Sequence, residues 1–176
     1  MSKRNNKILI AYFSRRGMNY LNGKVVNLQV GNTEVIAKKI QMITGGDLFE
    51  IRTAADYPSD YMETTRIARN ELRTNARPVL AEYIEDIENY SVIYLGYPNW
   101  WGTFPMAVRT FLEFANFKGK TIIPFCTHEG GGFGHSETDI RKLCPDSILL
   151  PGIAIQGGSA ATADNRLQEW LIKSNS

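Results

Sequence analysis

The feature that most constrains the fold is an alternation between short apolar runs and segments whose apolar residues recur at helical spacing. The first apolar run, 7–13 (KILIAYF), is rich in Ile and aromatic residues, as are strands buried on both faces of a parallel sheet. The segment that follows places Val35, Ile36, Ile40 and Ile43 on one helical face. The predicted strands cover residues 7–13, 48–51, 91–96, 121–125 and 147–155.

This alternation predicts an α/β domain of three layers. Strands that alternate with helices form a parallel sheet covered on both sides, because the right-handed crossovers place helices on each face. The 176 residues fit one domain, and no repeat, low-complexity run or linker divides residues 1–176. We therefore expect a single doubly wound domain with a five-stranded parallel sheet. Pro151-Gly152 predicts a bend in the last strand.

Composition and charge argue against several classes of partner. The net charge is only +2, and part of it lies in Lys3, Arg4 and Lys7, so a nucleic-acid partner is not expected. The apolar run after Lys7 is too short for a signal peptide or a membrane span, and we expect no membrane partner. Cys126 and Cys144 do not form a C-x-x-C pair, which favours a reducing compartment. A cytoplasmic location is therefore expected.

An insertion at residues 18–31 follows the first predicted strand. Asn22-Gly23 is a type I′ turn signal, and apolar residues alternate with polar ones over 26–30. This pattern predicts a small hairpin flap on the rim where the first strand ends. A passive surface insertion fits the same pattern equally well, because loops absorb insertions at little cost.

Two adjacent tryptophans follow the third predicted strand. Pro98 cannot continue a central strand, so Trp100 and Trp101 should lie on a loop, with Thr103 positioned to cap a helix that starts near Pro105. A loop at the carboxyl end of a parallel strand is where open α/β sheets bind ligands, and two flat side chains there can stack on an aromatic ring. The alternative is that both tryptophans only close the end of the hydrophobic core.

Three segments should meet at this rim. Residues 14–17 with 32–33 combine hydroxyls, a glycine and a helix amino terminus, which together suit a phosphate. Residues 98–103 supply aromatic faces, and the glycine-rich segment 127–134 supplies backbone that can run beside a planar ring. A phosphate at one end and a flat ring at the other describe a mononucleotide.

At these loops the sequence resembles the flavodoxin-like FMN-binding superfamily. The motifs are Y-F-S-R-R-G at 12–17 with N-T at 32–33, G-Y-P-N-W-W-G at 96–102, and the glycine-rich loop after the fourth strand. The likeness spans nearly the whole chain and is strongest to bacterial flavodoxin-like proteins with a P-x-W-W-G loop. It implies strand order 2-1-3-4-5, with FMN between the first and third strands. Carriers of this superfamily are strongly acidic, unlike this chain, which weighs against a pure carrier role.

The resemblance also implies which residues hold FMN. The phosphate would be held by the first loop: Ser14, Arg15, Gly17, Asn32 and Thr33. The isoalloxazine ring would be flanked by the tryptophan loop: Pro98, Asn99, Trp100, Trp101, Gly102 and Thr103. The other edge of the ring would be lined by the glycine-rich loop: Thr127, His128, Glu129, Gly130, Gly131 and Gly132.

The expected function is that of an FMN-binding redox protein that transfers electrons or hydride through the flavin. One alternative is an FMN-dependent NAD(P)H:quinone reductase, in which His128 and Glu129 donate a proton or a hydrogen bond. Another alternative is a non-catalytic binding or regulatory module. The partners expected are a redox protein or a quinone acceptor, with NAD(P)H as a donor and a homodimer as an alternative assembly. His128 and His135 lack metal-ligand spacing, so no metal is expected.

Overall fold

A parallel sheet forms the centre of the protein, which is described here by a computed structural model covering residues 7–176. Its strands run in the order β4-β1-β5-β6-β7, and β8 also pairs with β6. The strands are β1 (Lys7–Tyr12), β4 (Asp47–Glu50), β5 (Tyr90–Pro98), β6 (Thr121–His128), β7 (Ile148–Leu149) and β8 (Ile153–Gln156). The predicted α/β class and parallel sheet are confirmed.

The sheet differs in detail from the predicted five strands in order 2-1-3-4-5. The predicted fifth strand is divided into β7 and β8, which pair with successive parts of β6. The division falls at Pro151-Gly152, where a Cβ on Gly152 would lie 2.3 Å from the Pro124 carbonyl oxygen. The chain therefore passes too close to β6 for continuous pairing at this point. The strand numbers also differ from the predicted ones, because the insertion after β1 contributes two strands that precede β4 in the chain.

Residues 7–176 contain five α-helices, with helices on both faces of the sheet. They are α1 (Asn32–Thr44), α2 (Tyr61–Arg73), α3 (Met106–Phe114), α4 (Ser136–Leu143) and α5 (Asp164–Ser174). Leu9 and Ile10, adjacent on β1, belong to two different core clusters, as side chains on opposite faces of a strand must. Leu9 packs in the cluster that includes Phe111 of α3, and Ile10 in the one that includes Ile36 of α1. This arrangement gives the predicted three layers.

The insertion after β1 forms the predicted hairpin. Strands β2 (Gly17–Leu21) and β3 (Lys24–Leu28) pair antiparallel over five residues each. Asn22 and Gly23 connect them with φ of 51° and 83°, and positive φ at both central residues is the signature of a type I′ turn.

Among residues 7–176, no helix is long and apolar enough to cross a membrane.

Candidate functional site

The first loop presents free backbone donors at the start of α1. Gly31 is the N-cap residue of α1 and makes no side-chain cap. Ser14 supplies the cap from a distance, since its Oγ accepts a hydrogen bond from the Glu34 backbone N–H at 3.1 Å. Within residues 7–176, no acceptor meets the backbone N–H groups of Asn32 and Thr33. Free N–H groups and the helix dipole together favour an anion here.

Side-chain charges around this helix start are balanced. The Glu34 carboxylate, nearly buried in the first turn, lies 2.7 Å from Lys38 Nζ and 3.6 Å from a guanidinium nitrogen of Arg16. Arg16 also lies 4.0 Å from Glu50. The charge of Glu34 is therefore offset by two cations, and the unsatisfied backbone donors still favour an anion at this helix start.

A buried pair of hydroxyls joins the first loop to the glycine-rich loop. Thr33 Oγ1 and Thr127 Oγ1 lie 2.7 Å apart, and both residues are almost fully buried. Thr33 is in the first turn of α1, and Thr127 is near the carboxyl end of β6. These two predicted cofactor-binding residues are therefore brought together, and their hydroxyls satisfy each other.

Arg15 binds backbone carbonyls on two other segments. Its guanidinium donates to the carbonyl of Met18 at the start of the hairpin and to those of Pro58 and Ser59 before α2, the latter two at 2.7 and 3.1 Å. Burial lowers the pKa of Arg15 from its ordinary value. Gly17, also predicted at the phosphate, opens the hairpin with φ of 87°. The Arg15 side chain thus anchors the hairpin to the loop before α2.

The two tryptophans point to different surroundings. Trp100 is partly buried and packs edge-on against Phe13 and Tyr57, with ring centroids 5.1 and 5.2 Å away. Trp101 is 49% exposed, has φ of 56°, and donates from its indole N–H to the Thr65 carbonyl at 2.9 Å. The core interpretation therefore fits Trp100, whereas Trp101 lies over α2 with an open ring.

Asn99 fastens the tryptophan loop to the glycine-rich loop. Its Nδ2 donates to the Gly132 carbonyl at 2.8 Å, and its Oδ1 accepts from the Gly102 N–H at 2.9 Å. The Asn99 backbone N–H also donates to the Thr127 carbonyl at 2.8 Å. This residue acts as a cross-link between two walls of the candidate site.

The glycines of the third loop serve two purposes. A Cβ on Gly134 would lie 2.0 Å from the Gly102 carbonyl oxygen, so this glycine permits contact with the tryptophan loop. Gly130 and Gly132 also have positive φ, of 131° and 58°, but nothing lies within 4 Å of a Cβ added to either. The backbone at these two glycines is therefore not covered by other parts of residues 7–176, and its contact with a planar ring stays a prediction.

The two histidines of this region are held differently. His128 Nδ1 accepts from the Gly130 N–H at 2.9 Å, and burial lowers the pKa of His128. The neutral His128 ring therefore carries its proton on Nε2. His135 Nδ1 lies 2.8 Å from Asp139 Oδ2, which leaves Nε2 free to exchange a proton. Sequence reasoning missed the His135–Asp139 pair, although its i,i+4 spacing at a predicted helix start was visible.

Thr103 contacts the same Asp139 carboxylate as His135. Its predicted role as the cap of the helix near Pro105 is wrong. Its Oγ1 donates to Asp139 Oδ2 at 2.7 Å, and the residue is buried. Pro105 occupies the N-cap position of α3, which has no side-chain cap. The Thr103 hydroxyl thus links the tryptophan loop to α4.

The tip of the hairpin reaches the third loop. The Asn22 N–H donates to Glu129 Oε2 at 3.0 Å. A Cβ on Gly157, the residue after β8, would lie 2.4 Å from Glu129 Oε1 and 2.6 Å from Asn32 Nδ2. Glu129, Asn32 and the hairpin tip therefore converge beside the free N–H groups of α1.

A cavity of about 430 Å³ opens on the other side of the first loop. It is lined by residues 13–17, 50–53 and 56–59, so it lies towards β4 and away from the glycine-rich loop. Its wall includes Phe13 and Tyr57, the two rings against which Trp100 packs.

Comparisons with known proteins identify related folds. Residues 7–174 match the model of the family described as flavodoxin. A candidate flavoprotein from Bacteroides eggerthii is 32% identical with a TM-score of 0.76, covering 94% of this chain and 95% of that one. A candidate flavoprotein from Bacteroides uniformis is 26% identical with a TM-score of 0.74, covering 94% and 97%.

A more distant structure shares the fold alone. A flavoprotein in complex with FMN from Lactobacillus acidophilus is 18% identical with a TM-score of 0.66, and the match covers 93% of this chain and 99% of that one. No curated protein sequence matches the chain significantly.

Proposed function

Because the chain belongs to the flavodoxin family, we propose that it binds FMN at the carboxyl ends of β1, β5 and β6 and works as a redox protein. One observation carries the proposal. The backbone N–H groups of Asn32 and Thr33 lack acceptors within residues 7–176, at a rim shared with a tryptophan loop and an open glycine backbone. These donors suit the phosphate of FMN, and the two loops suit its ring.

The residues present fit the cofactor in distinct ways. In the proposal, the amides of Asn32 and Thr33 hold the phosphate, with Ser14 keeping the helix start in place. Gly130 and Gly132 give the ring a backbone surface without side chains. Bound FMN would supply the one- or two-electron chemistry.

The protein would orient this cofactor through cross-links that exist without it. The Thr33–Thr127 hydroxyl pair joins the first and third loops, and Asn99 joins the second and third. Loops that are already fixed lose little conformational entropy when a ligand binds. We propose that the P-x-W-W-G segment contributes mainly its backbone at this site, since Trp100 packs inward and Trp101 packs on α2.

The test is a titration of the purified protein with FMN, followed by quenching of flavin fluorescence. We expect a yellow protein, or an apoprotein that binds added FMN. Asn32→Asp should weaken FMN binding by about tenfold or more, because it places a carboxylate beside the phosphate, and should spare riboflavin binding. Asn27→Asp on the hairpin adds the same charge elsewhere and serves as the control. A colourless protein that binds no added FMN would contradict the proposal.

A second candidate function is an NAD(P)H:quinone reductase, and the His135–Asp139 pair favours it. Reduction of a quinone consumes protons as well as electrons, and a histidine whose Nδ1 is held by a carboxylate can deliver a proton from Nε2. His135 lies against Gly102 of the tryptophan loop, with its Nε2 3.5 Å from a Cβ added there. The FMN-loaded protein should oxidise NAD(P)H with a quinone, and His135→Gln should slow that turnover while leaving FMN affinity unchanged. Equal turnover in the variant would remove His135 from this role.

A further inference from the structure

An open cleft lies between α2 and the exposed face of Trp101, outside the proposed FMN site. Its volume is about 580 Å³, and its walls are formed by Met62, Glu63, Thr65, Arg66, Arg69 and Trp101. The indole is fixed in orientation, because its N–H donates to the Thr65 carbonyl at 2.9 Å. The Arg69 guanidinium lies over one face of the ring, 5.2 Å from its centroid, while Trp101 remains 49% exposed. The ring is thus held by a hydrogen bond and a cation and stays accessible.

Two arginines in this cleft have no carboxylate partner in the part of the chain that the structure describes. Arg66 and Arg69 are separated by three positions on α2, so their side chains leave the same helix face. No Asp or Glu oxygen of residues 7–176 lies within 4.0 Å of either guanidinium. In contrast, Arg77 and Arg109 both pair with Glu113. The cleft therefore holds two guanidinium groups that form no ion pair, and its wall also includes one carboxylate, that of Glu63, three positions before Arg66 on α2.

We propose that this cleft binds the 2′-phosphorylated adenosine end of a nicotinamide dinucleotide, with adenine on Trp101 and the 2′-phosphate on Arg66 and Arg69. Guanidinium groups form charge-assisted, often bidentate hydrogen bonds with phosphate, and a 2′-phosphate monoester adds its own negative charge, of up to two, to that of the diphosphate linkage. Stacking of a base on an aromatic side chain supplies the second contact.

The size of the cleft favours a nucleotide over a protein partner. One oriented ring with two cations a single helical turn apart matches one base and one phosphate. A stable protein interface buries about 1,200–2,000 Å² around a central apolar patch. Here the only large apolar groups lining the cleft in the described chain are Trp101 and Met62.

The cleft and the proposed FMN site share the tryptophan loop, so they lie next to each other along the chain. Trp101 follows Trp100 directly, and Gly102 is held by Asn99 against the glycine-rich loop. A dinucleotide anchored at Trp101 would have its nicotinamide end free to extend along the rim. Its role as electron donor rests on the proposed function, but its binding does not.

The test is isothermal titration of the full chain, loaded with FMN, with NADP⁺ and with NAD⁺. We expect NADP⁺ to bind about tenfold tighter than NAD⁺ or better. Arg66→Gln and Arg69→Gln should each weaken NADP⁺ binding by about tenfold and leave NAD⁺ binding nearly unchanged. Trp101→Ala should weaken both ligands, and Trp101→Phe should restore much of the loss. Arg141→Gln on α4 removes the same charge elsewhere and should change neither affinity.

Equal affinity for the two dinucleotides, or equal loss in the Arg141→Gln control, would overturn the proposal. A titration of FMN-free protein with 2′,5′-ADP separates it from the proposed function, since this fragment needs no flavin. Binding of 2′,5′-ADP by a protein that binds no FMN would support the proposed nucleotide site and contradict the proposed redox function. Absence of 2′,5′-ADP binding in a protein that binds FMN would overturn the nucleotide site and leave the proposed redox function standing.

Discussion

The hydroxyl pair formed by Thr33 and Thr127 allows a double-mutant cycle at the centre of the candidate site. The two Oγ1 atoms lie 2.7 Å apart, and neither hydroxyl has another hydrogen-bond partner within the residues described. Thr33 is 2% and Thr127 4% exposed, so a hydroxyl that loses its partner cannot turn to water. Substitution by Val preserves the shape of the side chain and removes only the hydroxyl.

The size of the effect follows from this burial. An unpaired buried polar group costs about 1–3 kcal/mol, whereas replacing both partners with apolar groups of the same shape is close to neutral. We therefore expect Thr33→Val and Thr127→Val each to lower the free energy of unfolding by about 1–2 kcal/mol. The double variant should lie within about 1 kcal/mol of the parent, so the interaction free energy is at least as large as one single effect.

Urea unfolding measures all four proteins. With an m-value of about 2 kcal/mol/M, each single variant should shift the midpoint by about 0.5–1 M. The double variant should also bind FMN as tightly as the parent, because the backbone N–H of Thr33 is retained. Additive losses of stability would refute the argument that the hydroxyls satisfy only each other. Lost FMN affinity in a stable double variant would show that a hydroxyl contacts the ligand.

Three further predictions follow from the same structure. Asn99→Ala removes one hydrogen bond between loops and one within the tryptophan loop, and should lower both stability, by about 2 kcal/mol, and FMN affinity, whereas Asn116→Ala in an exposed turn should change neither. Burial raises the pKa of the Cys126 thiol to about 12 and that of Cys144 to about 11, so Ellman's reagent at about pH 8 should modify them only in urea. Limited proteolysis should cut the β2–β3 turn less readily when FMN is present, and unchanged cleavage would mean that the hairpin does not respond to the ligand.

Much of the fold could be predicted from local patterns. Apolar runs and helical spacing gave the sheet and its layers, because those periods decide which residues can face a core. The Asn22-Gly23 pair also predicted the hairpin from a local signal, because few residue pairs adopt positive φ at both central positions of a turn. The divided last strand was only partly visible, because the close approach of Gly152 to Pro124 is a tertiary contact.

Side-chain roles at the rim were harder to predict, because they depend on partners that are distant in sequence. Arg15 was predicted at the phosphate, and this stays a prediction; the sequence did not indicate that its guanidinium donates to carbonyls about forty positions away in the chain, at Pro58 and Ser59. Thr103 looked like a helix cap, but Asp139 accepts its hydroxyl. In each case a short-range motif was compatible with several partners, and packing selected one.

The glycine-rich loop shows that glycines in one motif can have different structural roles. The sequence predicts close backbone approach, but it does not say to what. Gly134 approaches the protein's own Gly102, whereas Gly130 and Gly132 face open space. The first glycine lets the His135 N–H donate to the Gly102 carbonyl at 2.8 Å, and this contact fixes the walls of the site. If FMN binds as proposed, we expect a side chain at Gly134 to loosen the site without touching the ligand, whereas a side chain at Gly132 should obstruct the flavin ring directly.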